Sequence, residues 1–113
     1  EMRTAFRKHK NALRCKTTRL WPRLTRARGV RHDLFISHVW ETGQDTSAVI
    51  KRLLAQLLPR ARAFLDVDDL EDISQLEDEV QASASLLVFL SRGYFDSLNC
   101  LRELTTAVAA PKP

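Results

Sequence analysis

Long apolar runs are missing from this chain. The longest unbroken one in 113 residues covers residues 86–90. A membrane-crossing helix needs roughly 20 apolar residues, so none is expected. Cysteine is scarce as well: Cys15 and Cys100 lie in segments of different character. Two are too few for a disulfide framework and predict a reducing compartment. No charged start followed by an apolar stretch and a small-residue cleavage site occurs, so no secretory signal is read. Neither G-x-G-x-x-G nor G-x-x-x-x-G-K-[ST] is present, which removes the dinucleotide fingerprint and the P-loop. The length allows one small domain, and 44% hydrophobic with 28% charged residues is a globular composition. Met2 follows Glu1, and the last residues are Ala110, Pro111, Lys112 and Pro113. Both ends read as parts of something longer.

The net charge of +4 hides two opposite segments. Residues 1–31 hold 11 of the 18 Lys and Arg and one acid, Glu1, a net of +10. Residues 32–113 hold the remaining seven bases and 13 acids, a net of −6. The organisation read from this is a basic N-terminal segment, 1–31, ahead of a domain, 32–113. Met2, Phe6, Leu13, Leu20, Trp21 and Leu24 fall roughly along one helical stripe, and Pro22 would end it. The segment reads either as a solvated linker or as a basic amphipathic helix. A helix of that kind suits an anionic membrane surface, an acidic protein or a nucleic acid.

The acidic half alternates. Leu34, Phe35 and Ile36 form a β-prone run, and residues 41–45 (ETGQD) read as a loop. Ile50, Leu53, Leu54, Leu57 and Leu58 repeat at helical spacing. Asp45, Thr46 or Ser47 could cap that helix, and Pro59 would end it. Residues 63–65 read as a second strand. Residues 66–79 then carry eight acids and no base. Within them, Ser74 and Glu77 have capping-box spacing, with Leu76, Val80 and Ala84 sharing the face of the helix they would start. Residues 86–90 read as a strand buried on both faces, as helices on both sides of a parallel sheet require. Residues 91–93 read as a turn. Asp96 or Ser97 could cap a last helix with Leu101, Leu104 and Val108 inward. The resulting β-α-β-α-β-α order predicts an α/β domain with a parallel sheet, whose ligands would sit beyond the carboxyl ends of the strands.

Few residues carry chemistry by themselves. A phospho-acceptor domain needs an Asp after the third strand, and Ser91 stands there. A calcium loop counted from Asp66 would place Leu70 and Glu71 where an oxygen ligand and a glycine are needed. His9, His32 and His38 have no metal-ligand spacing with the cysteines, so no metal site is expected. Cys100, near a helix start, reads either as a lowered-pKa thiol or as a small core residue. Glu103, near the carboxyl end of the third strand, reads either as an acid facing the ligand crevice or as a helix acid paired with an Arg.

Four blocks in register resemble the Toll/interleukin-1 receptor (TIR) domain family. They are residues 32–38 (HDLFISH), 42–46 (TGQDT), 64–71 (FLDVDDLE), and 87–95 (LVFLSRGYF) followed by 99–104 (NCLREL). The resemblance covers 32–113, roughly the first three-fifths of such a domain. It implies a flavodoxin-like parallel sheet, here three strands in the order 2-1-3. It implies a cytoplasmic signalling module that binds other TIR domains, or copies of itself, through the loop Val67, Asp68, Asp69, Leu70, Glu71 and Asp72. Some members cleave NAD⁺ at the nicotinamide–ribose bond with a glutamate at the position of Glu103. Ser37, His38, Trp40 and Ser91 would then line the NAD⁺ pocket. The sequence departs from cleaving members at Asn99, where Trp is common, and at Val39, where basic residues are common. An open third strand predicts a marginal or aggregation-prone chain.

Overall fold

A computed structural model describes residues 10–110. The side chains of Val67 and Asp68 in the expected interaction loop, and Met2 and Phe6 of the expected stripe, lie outside the described residues. The elements are β1 (His32–Ser37), α1 (Trp40–Leu57), β2 (Ala63–Leu65), the single turn α2 (Asp66–Asp69), α3 (Leu76–Gln81), β3 (Ser83–Val88) and α4 (Leu98–Ala109). Short 3₁₀ turns at Ile73–Gln75 and Tyr94–Asp96 lead into α3 and α4. The three strands are parallel in the order β2-β1-β3. The fold class and strand order read from the sequence are those observed.

Right-handed crossovers put α1 on one face of the sheet and α3 with α4 on the other. The buried cluster Phe35, Phe64, Leu76 and Val80 fills the α3/α4 side, with Leu70, Leu86 and Ala107 packed on it. Phe35 stacks on Phe64 with ring centroids 5.1 Å apart. By the period of two, Ile36 and Leu65 point the other way, and both are fully buried against the α1 layer. Arg102 clamps α4 to α3. Its Nε and Nη2 each donate to Glu77 at 2.6 Å, and Nη2 also donates to the Ile73 carbonyl.

Several expectations are corrected. Residues 41–45 are helix, because α1 starts at Trp40 behind the extended Val39. Tertiary contact overrides the polar, glycine-containing pattern there. A Cβ on Gly43 would lie 3.0 Å from Phe89 and 3.1 Å from Ser91 Oγ, so any larger residue would have to push these side chains back by a few tenths of an ångström for the helix to sit this close. Asp45, Thr46 and Ser47 therefore cap nothing; they lie inside α1. Its sheet-facing side runs through Gly43, Ser47, Ile50 and Leu54, leaving Leu53 and Leu57 exposed.

The capping box is also absent. Asp72 accepts from Ser74 N–H instead, and Glu77 is taken by Arg102. Strand β3 begins at Ser83, three residues before its apolar run, so Ala84 is an exposed strand residue and not part of a helix face. Leu86, Leu87 and Val88 are half-buried, not buried on both faces, because β3 is an edge strand; Leu90 is exposed. On α4 the inward residues are Cys100, Glu103 and Ala107, while Val108 is 72% exposed.

Of the two readings of the N-terminal segment, the amphipathic helix does not form over the described residues 10–31, which run as turns and extended chain. Some of their backbone donors close turns within the arm, as Cys15 N–H does on Leu20 C=O, and others reach the domain. Leu13 N–H donates to Leu57 C=O at 2.8 Å, and Arg31 N–H to Ala82 C=O at 2.7 Å. Arg26 bridges the Asp33 carboxylate and the Arg60 carbonyl, and Arg60 lies over the Trp21 ring. An arm tied along its length gains nothing by coiling into a helix. Among the described residues, no helix is long and apolar enough to cross a membrane.

Candidate functional site

The expected site residues divide into a buried network and an open cleft. At the carboxyl end of β1, Ser37 is fully buried between the sheet and α4. Its hydroxyl donates to Glu103 Oε1 at 3.2 Å and lies 2.6 Å from the Tyr94 hydroxyl. Because the Ser37 proton is committed to Glu103, Tyr94 donates to Ser37. The hydrogen bonds run from Tyr94 through Ser37 to Glu103. Tyr94 is positioned by the turn after Gly93, whose φ of 84° is the left-handed conformation that favours glycine.

Glu103 is 1% exposed, and its Oε2 has no hydrogen-bond partner. Burial pushes its carboxyl up to about 8, and the nearby Asp66 charge adds to the rise. Ser37 and Arg102 oppose the shift without cancelling it. The group is therefore mostly neutral at pH 7. Burial likewise raises the Tyr94 phenol and the Cys100 thiol. Cys100 is thus a core residue without a lowered-pKa thiolate.

The cleft lies beyond the strands' carboxyl ends, where the topology places ligands. It has a volume of about 390 Å³, and its walls include His38, Trp40, Arg92, Asp96, Ser97 and Asn99. His38 is buried, with Nε2 2.6 Å from Gln44 Oε1 and Nδ1 3.3 Å from the Ile36 carbonyl. The half-exposed Trp40 ring donates Nε1–H to Asp66 Oδ2 at 3.0 Å. Ser97 caps α4, accepting from Cys100 N–H as the sequence suggested.

The five residues expected around one pocket are therefore not brought together. His38 and Trp40 line the cleft. Ser91 is set aside from it, bonded to Thr42 Oγ1 at 2.7 Å. Ser37 and Glu103 lie beneath it, Glu103 one helical turn below Asn99 on α4. The expectation that Glu103 faces the crevice is corrected: its side chain turns inward to Ser37. The sequence reading missed Tyr94 and Asp66. Their only sequence signals were an aromatic after a glycine turn and an acid directly ending a strand.

The acidic loop is held by its own acids. Asp69 Oδ2 accepts from Leu65 N–H at 2.9 Å and from Lys51 Nζ at 2.7 Å. Asp72 is occupied as the cap of Ser74. Glu71 and Ile73 project into solvent between these ties. A larger cavity of about 550 Å³ lies on the other side of this loop, along β2. Of its charged walls, Lys51 is paired with Asp69, and Arg31 and His32 with Glu79; Arg62 and Glu71 also line it. No protein-family model matches the chain, and no curated protein is similar enough to it to count as a match.

Proposed function

We propose that residues 32–113 form a TIR-like protein-interaction module of a cytoplasmic signalling protein, engaging copies of itself through the acidic loop after β2. The observation that carries this reading is the loop's construction. Asp69 and Asp72 fix its backbone, so Glu71 and Ile73 are presented in one conformation, which lowers the ordering cost of binding. A basic counterpart is available on the same chain, since Lys10, Lys16, Arg23 and Arg28 of the N-terminal arm are exposed. Charge reversal at Glu71 tests the reading, because Glu71 is exposed and makes no hydrogen bond or ion pair among the described residues. Glu71→Lys is expected to weaken self-association at least ~10-fold in low salt, measured by sedimentation, while the circular dichroism spectrum stays unchanged. Unaltered association would refute it. Asp69→Lys is the wrong variant, because it also removes the partner of the Leu65 amide.

A second reading, NAD⁺ hydrolysis with Glu103, rests on one observation. Strongly raised carboxyls beside clefts often belong to functional sites, and Glu103 lies just under one. Its burial favours the first reading, since a carboxyl turned away from the cleft touches no ligand there. The expected result is no nicotinamide released from NAD⁺ by the folded chain. Release that disappears in Glu103→Gln would overturn that preference and make the protein an enzyme.

A further inference from the structure

Residues 10–31 hold eight Lys and Arg and no acid. Arg26 is spent on Asp33 and Arg31 on Glu79, while Lys10, Lys16, Arg19, Arg23 and Arg28 are exposed. The arm is tied at one end of the sheet. Leu13 bonds Leu57 at the end of α1, which runs back against the strands. Arg31 and His32 bond Ala82, just before β3, and Arg26 bonds the Arg60 carbonyl ahead of β2. These bases therefore lie at the amino ends of the strands, opposite the cleft and the acidic loop.

Within the arm, residues 15–20 close into a tight turn. Cys15 N–H donates to Leu20 C=O at 2.8 Å, and Arg19 N–H to Cys15 C=O at 2.9 Å. Leu20 N–H donates to Thr18 Oγ1, and the Arg14 guanidinium to Arg19 C=O. Arg19 takes the left-handed conformation, φ 61°, to make the turn. Two leucines bracket the exposed residues 16–19: Leu13 is 50% exposed and Leu20 65%.

We propose that this turn seats the domain on an anionic membrane surface. Leu13 and Leu20 enter the boundary between headgroups and acyl chains, and Arg14, Lys16 and Arg19 meet the lipid anions. Leucines exposed among bases suit a surface that is anionic outside and apolar within. A nucleic acid would use the bases and leave both leucines in water. It would also want open rings for stacking. The one aromatic ring in residues 10–31, Trp21, is half-buried under Arg60. The amides of Cys15, Arg19 and Leu20 are already bonded within the turn, which lowers the cost of taking it out of water. Membrane binding does not depend on self-association, because the acidic loop at the other end of the sheet stays uncovered. Lipid and the loop of a second copy would compete for Lys16.

The test floats the full chain with vesicles of about 30% phosphatidylserine in phosphatidylcholine. Binding is expected in about 0.1 M NaCl, at least ~10-fold weaker in about 0.5 M NaCl, and absent from pure phosphatidylcholine. Lys16→Glu combined with Arg19→Asp should weaken it at least ~10-fold, since Asp tolerates the left-handed backbone. Leu20→Ser should weaken it at least ~5-fold with no change of charge, which a purely electrostatic contact would not do. Leu13→Ser repeats that measurement at the second leucine. Each substituted position is exposed, so the fold is kept. Leu98→Ser removes a leucine 73% exposed at the opposite end of the sheet and should leave binding unchanged. No binding to anionic vesicles, or equal binding to neutral ones, overturns the assignment. So does binding that both leucine variants leave intact. Duplex DNA bound more tightly than the anionic vesicles would put a nucleic acid in the membrane's place.

Discussion

Replacing Glu103 by Gln should make the protein more stable in alkaline solution by several kcal/mol and leave it little changed in acid. The carboxyl binds its proton far more tightly in the fold, at about 8, than at its ordinary 4.5. Between those values the native state holds more protons than the unfolded chain, so each rise in pH subtracts stability. The loss begins near pH 4.5, is complete just above pH 8, and amounts to at most about 5 kcal/mol at 1.36 kcal/mol per unit. Gln keeps the shape and the acceptor for Ser37 but cannot ionise. Urea unfolding of both proteins from pH 4 to 9 should give curves a constant distance apart at the acid end and diverging through the window. Taking the difference removes carboxylates shifted the other way, such as Glu77 beside Arg102, which both proteins share. Parallel curves throughout would mean that Glu103 ionises freely and reaches water, returning it to the cleft.

The fold was largely legible in the sequence because strand and helix periods are local. Residues 34–36 and 63–65 and the run before Ser91 each announced a strand, and their alternation with helical spacing dictated a parallel sheet. What was misread depends on contacts made across the fold. The first turns of α1 look like a loop until Phe89 and Ser91 are seen against Gly43. Ser74 and Glu77 have the spacing of a capping box, but Asp72 and Arg102 reach their partners first. The site was legible in position and illegible in direction. Glu103 does sit beside the carboxyl ends of β1 and β3, yet whether a helical residue turns toward a cleft or under it depends on helix rotation. Here the clamp from Arg102 to Glu77 and the inward Cys100 and Ala107 set that rotation, and none of these relations shows in spacing.

Phe35→Ala should be the most damaging apolar truncation in the chain, costing about 3–5 kcal/mol against a total stability of about 5–15 kcal/mol typical of folded domains. The argument rests on where apolar volume lies. At the start of α1 the positions facing the sheet are Gly43 and Ser47, which contribute almost no hydrocarbon. The α3/α4 side carries the clustered core, and Phe35, fully buried on the central strand, joins its members through the stacked Phe64 ring. Leu53→Ala is the matched control. It removes an aliphatic side chain of the same helical repeat as Leu54, but that side chain is 49% exposed, so its loss should fall within about 0.5 kcal/mol. Urea midpoints of the two variants at pH 6, where Glu103 is neutral, would separate them by several kcal/mol. Equal costs would mean that α1 packs through Leu53 after all. In that arrangement Gly43 would leave Phe89 and Ser91, and the cleft and the β3 edge would both change shape.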